Sequence, residues 1–135
     1  MSILKEFCKI SCQMEFNMVG KTPNGLRIDV PFSGVAISEH WEGERAVNGT
    51  DHVLIRKDGN AVLDIRARIG DGRDVIWYSA TGISVHGDRQ GLMYPQELIV
   101  FETGSEDLAF LNDSTAVATG TADGGSLELT VYLVA

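Results

Sequence analysis

The sequence predicts an all-β fold, a closed barrel or a sandwich of roughly eight to ten short strands. Three observations carry that prediction. Apolar residues recur with a period of two along most of the chain. Clusters of Gly, Asn, Asp and Pro punctuate these runs at short intervals, with 15 glycines in 135 residues. No segment carries the 3.6-residue stripe of an amphipathic helix. With no repeat, linker or low-complexity stretch, the chain reads as one domain spanning residues 1–135.

In chain order, Cys8, Ile10, Cys12, Met14 and Phe16 alternate with Lys9, Ser11, Gln13 and Glu15. On an extended strand the two cysteines stand ~13 Å apart, beyond the ~7 Å a disulfide tolerates. Free, buried thiols are expected. Ile28, Val30 and Phe32 form a second run in which Pro31 marks an edge or bulge. AVLDIRARIG at 61–70 alternates Ala61, Leu63, Ile65, Ala67 and Ile69 with Val62, Asp64, Arg66 and Arg68. Near the end, Leu127, Leu129, Val131 and Leu133 alternate with Glu128, Thr130, Tyr132 and Val134. Turns are expected at Pro23-Asn24-Gly25, Asp58-Gly59, Gly70-Asp71-Gly72 and Asp123-Gly124-Gly125.

Charge excludes several partners. Nineteen acidic residues against eleven basic ones give a net charge of −8. Nucleic acid or an anionic membrane surface would need a basic patch. No apolar run approaches the ~18 residues that span a bilayer. MSILKEFCKISC lacks a basic region followed by an apolar stretch, so no signal peptide is expected and the cytoplasm is the expected location. The Asn-x-Ser/Thr matches at Asn48 and Asn112 carry no weight without secretion.

Turn chemistry sets an expected register. If Asp58-Gly59 is a two-residue hairpin loop, Val53 faces Asp64 and Asp51 faces Arg66. If Gly70 to Asp74 forms the next loop, Ile69 faces Val75 and Arg66 faces Tyr78. One face of the resulting sheet then holds Asp51, Val53, Ile55, Val62, Asp64, Arg66, Arg68, Ile76, Tyr78 and Ala80. The other holds His52, Leu54, Arg56, Leu63, Ile65, Ala67, Val75 and Trp77. By pattern alone the more apolar face is the core and the charged one is solvated. The alternative makes the mixed face the wall of a lumen, with carboxylates, guanidinium and phenol orienting a ligand.

Across nearly its whole length the chain resembles the family called domain of unknown function 3237, or uncharacterised protein family 0311. The resemblance runs through TPNGLRIDVPFSG at 22–34, DHVLIRKDGNAVLDIRARI at 51–69, IWYSATG at 76–82, FETG at 101–104, FLNDSTAVATG at 110–120 and the closing VYLV. It implies a small closed antiparallel β-barrel of the calycin or allene-oxide-cyclase type. The residues matching the family's polar motif are Arg27, Asp51, Asp64, Arg66, Tyr78, Glu102 and Asn112. Four of them share one face in the expected register, which favours the lumen reading. Phe110 stands where a tryptophan is expected, and the stretch 85–96 is shorter than the family's usual loop.

The function expected on that basis is small-molecule binding in the lumen. Chemistry of an isomerase, cyclase or lyase type would use Asp64 or Glu102 as general base, with Arg66 and Tyr78 steadying an oxyanion. Arg27, Asp51 and Asn112 would bind the ligand. The alternatives are a non-catalytic binding barrel and a purely structural ion-pair face. His40, His52 and His86 lack metal-ligand spacing, and no metal or cofactor is expected. HGDRQG at 86–91 lacks the lysine and the strand-to-helix setting of a phosphate loop. No serine sits in a nucleophile elbow. A lumen reading would turn Leu63, Ile65 and Trp77 outward, so a homo-oligomer, most simply a dimer, is expected.

Overall fold

A computed structural model describes residues 3–134. Nine antiparallel strands follow in order: β1 (Leu4–Met14), β2 (Asn17–Thr22), β3 (Gly25–Ile37), β4 (Glu44–Ile55), β5 (Ala61–Ile69), β6 (Ile76–His86), β7 (Leu92–Thr103), β8 (Thr115–Asp123) and β9 (Ser126–Val134). One-turn 3-10 helices lie at Gly72–Asp74 and Ala109–Asp113. The strands from β3 to β9 form a meander. β1 then pairs with β9 on one side and β3 on the other, closing a barrel of eight strands.

β2 is the ninth strand and lies outside the closure. Met14 pairs with Phe32, the Glu15 N–H bonds the Pro31 carbonyl, and Asn17 pairs with Asp29. β1 and β2 thus run along β3 as one interrupted strand. β9 follows only the first part of it, so the β2–β3 hairpin projects past the barrel. Phe16, Met18 and Val19 are exposed on that projection.

Alternation decides which side is inside. On β5, Ala61, Leu63, Ile65, Ala67 and Ile69 are buried while Asp64, Arg66 and Arg68 are exposed. The apolar phase of each strand fills the interior, since burying those side chains is the main gain of closing the sheet. The solvated reading therefore holds for β5, and the expected inward face for Asp64 and Arg66 is corrected. Leu63 and Ile65 lie in the core, so they no longer argue for an oligomer. Trp77 alone of that trio points outward, 49% exposed. Aromatic rings close one end of the barrel, where Phe7 packs on His40, Trp41, Phe101 and Phe110 with centroids 5.3–6.5 Å apart. Cys8 and Cys12 are free and buried in the interior, and burial pushes their thiols up to about 12 and about 11. No described helix is long and apolar enough to cross a membrane.

Candidate functional site: an inner polar group and an outer groove

Two hairpin registers differ from expectation by one residue each, and the difference separates the expected site residues. Asp58-Gly59 does not close a two-residue loop. The Gly59 N–H bonds the Arg56 carbonyl at 3.0 Å, and the Arg56 N–H bonds the Asn60 carbonyl at 2.9 Å. Gly59, at φ +86°, supplies the left-handed residue that completes a three-residue loop. Asp51 consequently pairs with Ile65, not Arg66. After β5 the 3-10 turn inserts another residue, so Ile69 pairs with Ile76 and Tyr78 pairs with Ala67. A one-residue slip moves a whole strand to the opposite face. Asp51 and Tyr78 therefore point into the barrel, on the opposite side of the sheet from Asp64 and Arg66.

Inside, Asp51 on β4 and Tyr78 on β6 are joined by Glu97 on β7, a residue the sequence reading did not single out. All three are buried, at 9%, 6% and 6% exposure. Asp51 accepts a hydrogen bond from the Asp64 backbone N–H at 2.9 Å. No hydrogen bond of the Glu97 carboxyl or the Tyr78 hydroxyl is seen among the described residues, though the one fully enclosed side-chain polar atom without a partner there is the Arg45 Nη1. Burial pushes Asp51 up to about 6, with the Asp64 charge adding to the effect and the backbone bond opposing it. Burial pushes Glu97 up to about 8, helped by the charge of Asp51. The Tyr78 phenol is raised well above its ordinary value by burial, then by Glu97, the thiols of Cys12 and Cys8, and Asp51. Burial therefore favours the protonated form of both carboxyls, of Glu97 more strongly than of Asp51.

Outside, a groove of about 950 Å³ crosses the strands. Its floor is a row of residues in register, Met14, Phe32, Gly49, Ala67, Tyr78 and Phe101, whose side chains point inward and leave backbone facing out. Their outward-pointing neighbours make the two walls. Gln13, Ser33, Asn48, Arg68, Trp77 and Glu102 follow one another along one wall, and Glu15, Pro31, Thr50, Arg66, Ser79 and Val100 along the other. β5 thus gives one arginine to each wall. Gly49 belongs to this row because the interior beneath it is full: a Cβ there would point into the barrel and meet the Ala67 Cβ at 2.5 Å and the Phe32 ring at 2.7 Å.

Electrostatically the groove is unfinished. Among the described residues the ion pairs are His52–Asp29, Arg56–Asp58 and Arg89–Asp123. Arg66 has no partner, and the Arg68 guanidinium lies only over the Trp77 ring, 6.0 Å from its centroid. Glu15 and Glu102 also line the groove, so its charges balance over its length, and the two β5 arginines, neither in an ion pair among the described residues, concentrate positive charge at its middle.

The remaining expected residues stand apart from both groups. Arg27 is exposed on the β3 segment paired with β2. Asn112 clamps backbone: its Oδ1 accepts from the Thr103 N–H at 2.8 Å, and its Nδ2 donates to the Thr103 carbonyl at 2.9 Å. Glu102 lies on the groove wall two strands from Arg68. Asp64 is exposed on β5, one outward position beyond Arg66. Among the described residues no cluster of His, Cys, Asp and Glu could hold a metal ion.

Comparison with known proteins shows the same architecture in three solved structures. A protein of unknown function from Clostridium acetobutylicum ATCC 824 is 21% identical with a TM-score of 0.85, covering 98% of this chain and 96% of that one. A conserved protein of unknown function from Rhodopseudomonas palustris is 20% identical with a TM-score of 0.85, covering 98% and 97%. A beta-barrel like protein from Acinetobacter baumannii AYE is 20% identical with a TM-score of 0.83, covering 96% and 94%. At such identities the likeness speaks for the fold alone. No curated protein matches the sequence. The family model of the protein of unknown function DUF3237 matches residues 3–134, essentially the whole described barrel, and the chain belongs to that family.

Proposed function

We propose that this protein is a binding barrel whose ligand lies in the outer groove, held by Arg66 and Arg68. One observation carries the reading: β5 places two guanidiniums without acidic partners on opposite walls of the same groove, beside a half-exposed tryptophan. A carboxylate seated on the floor between them accepts charge-assisted hydrogen bonds from both sides. Trp77 offers a flat apolar face to the rest of the ligand, and the amide of Asn48 and carboxylate of Glu102 read its polar groups. The class of ligand is a polar small molecule bearing an acidic group. The core beneath the floor is closed by Phe32, Ala67 and Tyr78, which favours the groove over the lumen.

Trp77 reports on the test, because the chain has only two tryptophans and a Trp41→Phe variant leaves it as the sole indole. Titration with small aromatic and sugar carboxylates should change its fluorescence, with affinity falling as salt rises. Arg66→Met with Arg68→Met should weaken binding by about 10–100-fold, the weight of one or two charged hydrogen bonds. Equal affinity in the double variant would overturn the proposal.

A further inference from the structure

Resting on the groove reading, we infer that the ligand is an acidic oligosaccharide, a chain of pyranose rings including carboxylated ones. It lies across the strands with a carboxylate between Arg66 and Arg68 and a ring on Trp77. Length is the first argument. From β1 through β3 to β7 the groove crosses five strand spacings, roughly 24 Å at ~4.8 Å each. A compact metabolite fills only part of that length. It would also stay exposed above a floor that encloses one side, where drug-sized ligands bury about 70–90% of their surface.

The second argument is chemical spacing. One wall presents a polar or aromatic side chain at every strand: Ser33, Asn48, Arg68, Trp77, Glu102. The strand spacing is close to the span of one pyranose residue, so successive rings meet successive side chains. Sugars combine hydroxyls, which suit amide, carboxylate and guanidinium groups, with C–H faces that stack on an indole. Apart from the Arg68–Trp77 contact, none of these five side chains has a hydrogen bond or ion pair among the described residues. Their binding capacity is unspent.

The third argument excludes competitors. A neutral saccharide leaves both arginines unpaired. An extended peptide binds a sheet through a strand edge, and this groove runs across the strands, where the floor offers no free ladder. A polyanion of nucleic-acid density meets a chain of net charge −8. Glu102 stands two strands from the arginine pair, so it repels an acid at its own position and places the carboxylate at β5.

The experiment uses the full chain carrying Trp41→Phe. It is titrated with glucose oligomers of one to four residues that each carry a single glucuronate, with neutral glucose oligomers of the same lengths, and with an acidic tetrapeptide. Affinity should rise by about tenfold or more from monomer to tetramer, and the neutral series should bind at least about tenfold more weakly. Trp77→Ala, followed by calorimetry, should remove most of the gain with length. If small carboxylates bind through Arg66 and Arg68 with no gain on lengthening, or if the peptide binds better, the saccharide assignment is wrong and the groove reading survives. If nothing binds in an arginine-dependent way, both are wrong.

Discussion

The inner group of Asp51, Tyr78 and Glu97 and the outer pair of Arg66 and Arg68 occupy opposite sides of the same sheet, and both lack counter-charges. The cost of that lack differs because the solvent differs. Water solvates the arginines, so they stay charged at little expense and remain available to a ligand. Inside, desolvation makes ionisation expensive, and the carboxyls respond by holding protons. An unpaired charge outside is binding capacity, whereas inside it is a pH-dependent liability. Only a few ångströms of backbone separate the two.

The largest effect should come from Glu97. Unfolded, it gives up its proton near the ordinary 4.5; folded, it does so only at about 8. Across that window the folded state binds more protons, so stability falls as pH rises and levels off above about 8. Asp51 adds a fall between 3.8 and about 6. Glu97→Gln should flatten the upper part of the slope. The variant should match the parent near pH 4 and exceed it at pH 9 by roughly 4–5 kcal/mol if the whole shift is expressed. Urea denaturation at pH 4, 6 and 9 measures this. An unchanged slope would mean that the inner group is wetter than its burial indicates.

Gly49 tests the partition between the two regions. Gly49→Ala puts a methyl group against Ala67 and the Phe32 ring, which should cost about 1–3 kcal/mol by overpacking and lower the melting temperature. Asn112 belongs to neither region. Asn112→Ala strips the N–H and carbonyl of buried Thr103 of their side-chain partner, at a cost of about 1–2 kcal/mol. Ligand affinity in the groove should be unchanged in that variant. The smallest effect is expected from Arg66→Met, which should shift stability by no more than about 0.5 kcal/mol in chemical denaturation. A loss of several kcal/mol would place Arg66 in a buried pair and erase the contrast.

Much of the fold was legible because alternation survives any error in pairing. Each strand's apolar phase could be read without knowing its neighbour, and so could the free cysteines. The site was less legible because it depends on register. Asp58-Gly59 suits both a two-residue and a three-residue loop, and choosing between them moves Asp51 through the sheet. The extra residue in the loop before β6 does the same to Tyr78. Asp51 is in phase with Val53 and Ile55 and turns into the barrel as the lumen reading expects, but pairing it with Arg66 carried Arg66 and Asp64 inward with it, where the structure has them outside. Glu97 escaped notice because β7 has apolar residues in both phases: Ile99 and Phe101 inward, Leu98 and Val100 outward. A charge on the inner phase is not conspicuous when neither phase is clearly polar. The groove is invisible in one dimension, since its walls come from strands that must first be aligned.

The joint between β1 and β9 sets the order of folding. Strands β3 to β9 pair as successive hairpins, most closed by short loops and β7–β8 by residues 104–114 with their 3-10 turn. Residues such as Gln13 and Ser126, by contrast, must meet from 113 positions apart. Loop-closure entropy makes such a contact late. Until β1 meets β9, the meander carries bare strand edges that a second unfinished chain can occupy. The closing seam is where slow folding and misassembly would compete, far in sequence from the β5 arginines at the groove.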